Sequence, residues 1–321
     1  MNHINLNFEI EKAKKLTKKG NVEKAIKIYE NIVLHYPKNS RVLKELEDLK
    51  FDSFKLSYDQ ILTLYNEKKY DEALILAEKL LIANSESYTL LSLLGAISLN
   101  LKDIIGAKYY FNQSISINPH FAEAYNNLGL LHMGFKEFEI AVDYFHKAVE
   151  VKPDFTESYK NLGKIYKIMD KPSEAIEYYK KAFETNKKDI SSINEVGLIL
   201  KKYEKYDEAM SYFDKAISIY PNYVSYGNRG NNKAAMGDFD GAIKDLKIAL
   251  THNDKSAECW NNLGSALNEK GLPSEALPYL NKAIELNPDY ADAYNNLGIA
   301  NEFLKNSEVS IRNFQKCVEI D

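Results

Sequence analysis

The pattern of apolar positions repeats at a fixed interval along most of the chain. Glycine recurs with successive spacings of 34, 34, 34, 33, 34 and 34 residues, at Gly95, Gly129, Gly163, Gly197, Gly230, Gly264 and Gly298. Alanine follows the first six of these glycines by 12 residues, at Ala107, Ala141, Ala175, Ala209, Ala242 and Ala276. A constant interval of this length predicts helical hairpins in which each hairpin covers the apolar face of the next.

The composition supports helices and excludes several functions. Only 8 prolines and 14 glycines occur in 321 residues, so helix breakers are few. A net charge of -4 does not indicate nucleic acid or anionic membrane as a partner. No apolar run approaches the ~20 residues of a membrane span, and the first ten residues lack the apolar core of a signal peptide. Cys259 and Cys317 are the only cysteines, which predicts neither a disulfide framework nor a metal site and favours a reducing, cytoplasmic setting.

Two stretches carry the full set of recurring residues. Residues 122–155 contain Tyr125, Leu128, Gly129, Ala141, Phe145, Ala148 and Pro153, and residues 257–290 contain Trp260, Leu263, Gly264, Ala276, Leu280, Ala283 and Pro288. These residues resemble the tetratricopeptide repeat at its positions 4, 7, 8, 20, 24, 27 and 32. The resemblance covers all but about twenty residues, and it implies an all-α, right-handed superhelical solenoid of about nine helical hairpins. The implied units are 6–39, 54–87, 88–121, 122–155, 156–189, 190–222, 223–256, 257–290 and 291–321.

The repeat positions suggest how the hairpins pack. We expect glycine at position 8 and alanine at position 20 to face each other, and the bulky residues at positions 4 and 24 to fill the space between hairpins. The first units depart from the pattern, since 14 surplus residues, Ser40 to Ser53, separate them. Their apolar stripe predicts one amphipathic helix. We therefore expect a degenerate repeat plus a linking helix over 1–53 and a continuous array of eight units over 54–321.

No catalytic constellation is present in the sequence. The six histidines, 3, 35, 120, 132, 146 and 252, occupy different repeat positions and form no metal-binding pair. Every repeated glycine lies inside a predicted helix, so no glycine-rich loop is available for phosphates. We expect no enzyme activity, no cofactor and no metal.

Asparagine recurs at the two positions before Leu-Gly. Position 6 has Asn127, Asn161, Asn228, Asn262 and Asn296, here called the asparagine column, and position 5 has Asn126, Asn194, Asn261 and Asn295. The resemblance implies that first helices line a concave groove, where an amide matches the donor and acceptor of a peptide group. Asparagine costs up to ~0.7 kcal/mol within a helix, which favours binding over mere copying by duplication. The column resembles that of O-linked N-acetylglucosamine transferase repeats, although Glu195 and Leu93 interrupt it.

Charged residues suggest two further features. Lys160, Lys164 and Lys167 share one helix face, so they either favour an acidic partner in the groove or form a solvated surface. Arg229 stands at position 7, where leucine is usual, and Asp245 on the paired helix is the nearest candidate to neutralise it.

These observations predict a scaffold that binds an extended peptide or partner segment in its groove. The alternative is the substrate-recruiting arm of a glycosyltransferase or sulfotransferase whose catalytic domain is absent from these residues. Self-association through the C-terminal hairpin, 291–321, is a third possibility. Nucleic acid is not expected, because the basic residues lack interleaved aromatic residues.

Overall fold

The computed structural model describes residues 5–320 and divides into two compact units, Met1–Phe135 and Lys136–Asp321. Met1 to Ile4, with His3, and Asp321 lie outside the described residues. Within residues 5–320 the regular structure consists of 18 α-helices, and the helices that share a predicted hairpin pack together inside each unit. The predicted all-α fold of paired helices is confirmed.

The first unit contains seven of these helices. They are α1 Leu6–Lys18, α2 Val22–His35, α3 Ser40–Asn66, α4 Tyr70–Ala83, α5 Tyr88–Asn100, α6 Ile104–Ile117 and α7 Ala122–Gly134. The pairs α1 and α2, α3 and α4, and α5 and α6 are packed against each other.

The second unit contains the other eleven helices. They are α8 Phe138–Val151, α9 Thr156–Ile168, α10 Pro172–Thr185, α11 Ile190–Lys202, α12 Tyr206–Ile219, α13 Tyr223–Ala235, α14 Phe239–His252, α15 Ala257–Glu269, α16 Pro273–Leu286, α17 Ala291–Phe303 and α18 Ser307–Ile320. Each first helix from α9 to α17 packs against the helix that follows it, and each second helix from α8 to α16 packs against the next first helix.

The hairpin turns share one backbone conformation. At position 15 of every predicted repeat the chain has a positive φ, at Gly20, Lys68, Lys102, Lys136, Asp170, Glu204, Gly237, Gly271 and Lys305. Only glycine adopts this conformation without a steric cost, yet six of these nine residues are charged. The packing of the two helices therefore imposes the turn geometry on side chains that do not favour it.

The repeated glycine makes room for the bulky residue at position 24 of the same hairpin. A Cβ added at Gly95 would lie 2.5 Å from the Phe111 ring, and one at Gly197 would lie 2.5 Å from the Phe213 ring. Both phenylalanines are fully buried. The side chain at position 24 thus lies on the glycine of its own hairpin, and Tyr179, Leu246 and Leu280 also belong to cores shared with the first helix of the next hairpin.

The surplus residues near the N-terminus do not form a separate helix. Helix α3 runs without a break from Ser40 to Asn66, and the predicted boundary after Ser53 falls inside it. Val42 and Leu46 belong to the core of the first hairpin, whereas Ile61 belongs to the core shared with α4 and α5. One long helix thus supplies a packing face to each of two cores, because no proline or glycine interrupts it.

Arg229 and Asp245 form a two-point ion pair between α13 and α14. Arg229 Nε and Nη2 donate to the two Asp245 carboxylate oxygens, both at 2.7 Å. Asp245 also accepts from Lys233 at 2.9 Å, and Arg229 Nη1 donates to Asp214 at 2.7 Å. The Asp245 side chain is 2% exposed. The sequence argument named two members of this network and missed Asp214 and Lys233.

Replacing a repeated glycine should destabilise the fold according to the space around it. We expect Gly95→Ala to lower the free energy of unfolding by about 1–3 kcal/mol, because the new methyl group overlaps Phe111. Gly134→Ala in the same unit should be neutral or stabilising by up to about 1 kcal/mol, because nothing lies within 4 Å of its added Cβ. Urea unfolding followed by circular dichroism measures both variants. Equal effects of the two substitutions would contradict this account of the glycine.

Removing one member of the ion pair should cost more than removing both. Asp245→Ala leaves Arg229 and Lys233 without their shared carboxylate, and we expect a loss of about 3 kcal/mol or more in the free energy of unfolding. The double variant Arg229→Leu, Asp245→Ala should lose less, because leucine restores the usual apolar residue. The same urea titration compares the two. Equal losses in the two variants would show that the unpaired Arg229 is not the cause of the destabilisation.

The contribution of Asp245 should disappear in acid. Burial tends to raise the pKa of Asp245, but the hydrogen bonds from Arg229 and Lys233 lower it below its ordinary value. A carboxyl group with a lowered folded pKa stabilises the fold fully above its unfolded pKa of about 3.9 and loses this effect as the pH falls through the folded pKa. The difference in urea midpoint between wild type and Asp245→Asn should therefore be constant from pH 7 to 5 and shrink below about pH 4. A difference that already shrinks above pH 5 would be inconsistent with the lowered pKa.

Candidate functional site

The first helices of successive hairpins in the second unit stand side by side. Helix α13 contacts α11 on one side and α15 on the other, and α15 also contacts α17. Because the hairpins repeat, positions 5 and 6 of these helices come next to the same positions of the neighbouring repeat. The predicted site residues of this unit lie at these junctions.

The asparagine column uses part of its hydrogen-bonding capacity inside the fold. Asn296 Nδ2 on α17 donates to Asn261 Oδ1 on α15 at 2.9 Å. The backbone carbonyl oxygen of Asn296 accepts from Asn268 Nδ2 at 2.9 Å. The side-chain oxygen Oδ1 of Asn262 lies 3.4 Å from Asn261 Nδ2. The position 6 residues of the second unit, Asn161 included, are half-buried. Each therefore keeps some surface open to solvent while its neighbours restrict its side chain.

The asparagines at position 5 are buried, except in the last repeat. Asn194 and Asn261 are 5% and 4% exposed, whereas Asn295 is exposed. Asn194 Nδ2 donates to Ser225 Oγ of the next repeat at 3.0 Å. Buried side chains of this kind support the position 6 residues beside them and have little surface left for a partner.

One junction contains a buried donor and a buried acceptor without partners. Asn194 Oδ1 and Asn228 Nδ2 are both shielded from solvent and make no hydrogen bond. They occupy the two repeat positions at which Asn261 and Asn296 are bonded to each other. An unsatisfied buried amide group costs about 1–3 kcal/mol. The amide–amide bond that joins α15 and α17 is therefore missing between α11 and α13.

The first unit contains the first member of the column. Asn127 Nδ2 on α7 donates to Ser92 Oγ on α5 at 3.3 Å. Asn126 beside it is 7% exposed. Serine at position 5 thus receives the same bond from position 6 of the next repeat that asparagine receives in the second unit.

Carboxylates neutralise most of the predicted basic patch. Lys167 pairs with Glu195 at 2.7 Å, and Lys160 lies 3.6 Å from Asp189 and 3.9 Å from Glu157. Glu195 is the residue that interrupts the asparagine column, so the interruption provides a counter-ion. Lys164 is exposed and forms no ion pair within the described part of the chain.

The two lysines at the end of α11 differ in their surroundings. Lys202 pairs with Asp170 at 3.0 Å. Lys201 is half-buried and, among residues 5–320, has no ion-pair partner within 4.0 Å. Burial lowers the pKa of Lys201, and the charge of Glu258 on α15 opposes this shift. Ion pairs therefore balance Lys160, Lys167 and Lys202, whereas Lys164 and Lys201 have no ion-pair partner among residues 5–320.

Sequence reasoning did not identify the residues that bond the asparagines of positions 5 and 6 across repeats. Asn268 and Ser225 are bonded to neighbouring repeats at distances of 28 and 31 residues along the chain. Position 12 of the repeat is the one place where the sequence could have indicated such contacts. Lys167 and Asn268 both occupy it, and both donate to the residue at position 6 of the next repeat.

The described residues show no candidate metal site. Among residues 5–320, no group of three or more His, Cys, Asp or Glu side chains is arranged to hold a metal ion. In the same part of the chain, no helix combines the length and the apolar character that crossing a bilayer requires.

Several segments match sequence models described as "Tetratricopeptide repeat". One model matches residues 122–155, 156–189 and 257–290, a second matches 190–223, and a third matches 279–308. The first model finds the same boundaries as the glycine and alanine spacing for its three units.

Curated relatives match over short stretches. The Hsp70-Hsp90 organizing protein of Triticum aestivum is 27% identical over 93 residues, 29% of this chain and 16% of that protein. Superkiller complex protein 3 of Mus musculus is 39% identical over 61 residues, 19% of this chain and 4% of that protein. The chain thus spans far less than two thirds of the length of either relative.

A solved structure shares the fold over most of the chain. The crystal structure of the APC/C hetero-tetramer Cut9-Hcn1 matches with a TM-score of 0.56 at 18% identity, covering 94% of this chain and 57% of that chain. At this level of identity the likeness concerns the fold alone. The matched segments show that residues 122–223 and 257–308 consist of tetratricopeptide repeats.

Proposed function

We propose that this chain is a protein-binding scaffold that holds an extended segment of a partner protein along its first helices. The asparagine column contacts the backbone of that segment, and the side chains of the segment have a secondary role.

The observation that carries the proposal is the bond between neighbouring repeats at the column. Asn296 Nδ2 donates to Asn261 Oδ1, and Asn127 Nδ2 donates to Ser92 Oγ. A carboxamide can take part in about four hydrogen bonds, two as donor and two as acceptor. At Asn127 and Asn296 one internal bond therefore orients the carboxamide and leaves capacity for a peptide C=O or N–H. Because the orientation is set before binding, the partner loses less entropy in forming each contact.

The buried asparagines at position 5 serve this arrangement as supports. Asn261 accepts from Asn296 and lies beside Asn262, so one buried side chain restrains two members of the column. The column itself is half-buried, which reduces competition from water. At Asn228 the Nδ2 is shielded from solvent and cannot donate to a partner.

An acidic segment has a modest advantage over a basic one. Lys160 and Lys167 are paired with carboxylates, so they contribute little net charge. Lys164 and the half-buried Lys201 supply the remaining positive charge. We therefore expect binding to weaken moderately with salt, because exposed charges are screened.

Removing three members of the column should weaken peptide binding. We expect Asn161→Ala, Asn228→Ala, Asn262→Ala to bind peptides selected on the wild-type chain from a random 16-residue phage library roughly 30- to 700-fold more weakly. This corresponds to three lost hydrogen bonds, about 2–4 kcal/mol in total. Alanine is the better helix former, so the helical content should remain. Fluorescence anisotropy with the labelled peptides measures affinity.

A matched control removes three asparagines from second helices. Asn112, Asn281 and Asn313 each donate to a carbonyl four residues earlier in their own helix, and their triple alanine variant should keep wild-type affinity. If the library gives no binder, or if the two triple variants bind equally well, the proposed function is wrong.

A further inference from the structure

A cavity of about 600 Å³ lies between α9 and α11 in the second unit. Its apolar part is formed by Ile168, Pro172, Leu198 and Ile199. Ile199 is 3% exposed, and Tyr179 below it is 5% exposed. The volume is within the range of about 300–1,000 Å³ that is usual for ligand pockets. The cavity thus offers an apolar floor at the same junction that carries Lys164 and Glu195 of the candidate site.

At the rim of the cavity two lysines form ion pairs with carboxylates, and a third lysine has no ion-pair partner among residues 5–320. Lys167 pairs with Glu195 at 2.7 Å, and Lys202 pairs with Asp170 at 3.0 Å. The Tyr203 hydroxyl also donates to Asp170, at 2.9 Å. Lys164 lines the cavity and has no ion pair within residues 5–320. The rim therefore carries one unbalanced positive charge next to an apolar floor.

We propose that this cavity selects the sequence of the bound segment by taking an aromatic side chain whose neighbouring residue is Asp or Glu. The aromatic ring packs on Leu198 and Ile199, and the carboxylate pairs with Lys164. This inference rests on the proposed function, and it deepens that function because the asparagine column by itself recognises only backbone.

The charges of both signs at the rim and the apolar floor determine which type of ligand can bind in the cavity. A polyanion such as nucleic acid would bring several phosphates close to Glu195 and Asp170, which repel them. A purely apolar side chain would gain nothing from Lys164, whereas an adjacent carboxylate adds an exposed ion pair. One ring and one adjacent carboxylate satisfy both parts of the cavity. An extended protein segment supplies these groups on successive residues, and the cavity lies on the first helices to which we assign that segment.

Short peptides can test the cavity without the asparagine column. The probes are Ac-Phe-Glu-NH2 and Ac-Glu-Phe-NH2, since the chain direction is open, with Ac-Phe-Gln-NH2 and Ac-Ala-Glu-NH2 as comparisons. Titration of the full chain by methyl NMR should shift the signals of Ile168, Leu198 and Ile199 with millimolar affinity. The better acidic probe should bind up to about fivefold more tightly than Ac-Phe-Gln-NH2, as expected for an exposed ion pair. Ac-Ala-Glu-NH2 should not shift these methyl groups.

A lysine variant and its control decide the role of the charge. Lys164→Met should fold normally, because the side chain is exposed and methionine has a similar length. Because it removes the ammonium group, it should reduce the affinity of the acidic probe to that of Ac-Phe-Gln-NH2. Lys247→Met, which removes an exposed lysine from α14, should change neither affinity. The proposal is overturned if 20 mM of either acidic probe leaves the three methyl groups unshifted, or if the two lysine variants behave alike.

The outcome is separable from that of the proposed function. Library peptides that need the asparagines but are indifferent to Lys164→Met contradict this inference and leave the scaffold function in place. A chain that binds the dipeptides at the cavity but selects no longer peptide contradicts the scaffold function alone.

Discussion

The close contact between a glycine and a bulky side chain is the constraint on which most of the hairpins depend. At Gly197 even a methyl group would overlap the Phe213 ring, and Gly264 faces Leu280 in the same way. The two helices of a hairpin can therefore approach closely around one large apolar side chain. That approach also determines the turn, where Lys102 and Asp170 adopt positive φ angles despite the steric cost. Local strain in the turns is accepted because the packing of the helices stabilises the fold more.

Regular hairpins bring equivalent residues of neighbouring repeats together, and this has a chemical consequence. At two junctions an asparagine at position 6 donates to position 5 of the preceding repeat, where the partner is Ser92 or Asn261. The same amide column can therefore be part of the fold and part of a binding surface, because one carboxamide has several bonding sites. A variant that weakens binding through this column also removes a contact between repeats, so stability and affinity need to be measured together.

Departures from the repeat give individual junctions their own chemistry. Glu195 interrupts the asparagine column and neutralises Lys167. Arg229 replaces the usual leucine and binds two carboxylates, of which Asp245 is almost completely buried. Each of these residues introduces a charge, and a residue of opposite charge in the same unit pairs with it. Single hairpins can in this way acquire specificity while the backbone of the array is unchanged.

The sequence by itself determined the repeat length and the helical pairing, because the close contact between the helices requires glycine at one fixed place in most of the hairpins. The same spacing located the asparagine column. The sequence also indicated Arg229 and Asp245, since a cation at a leucine position needs a counter-ion. Only the tertiary structure decided that α3 is continuous, that the ring at position 24 lies on the glycine of its own hairpin, and that Asn261 bonds Asn296. The reason is physical: spacing along the chain specifies which helix face a residue occupies, but hydrogen bonds and ion pairs depend on which atoms of another repeat, about 30 residues away, come within reach.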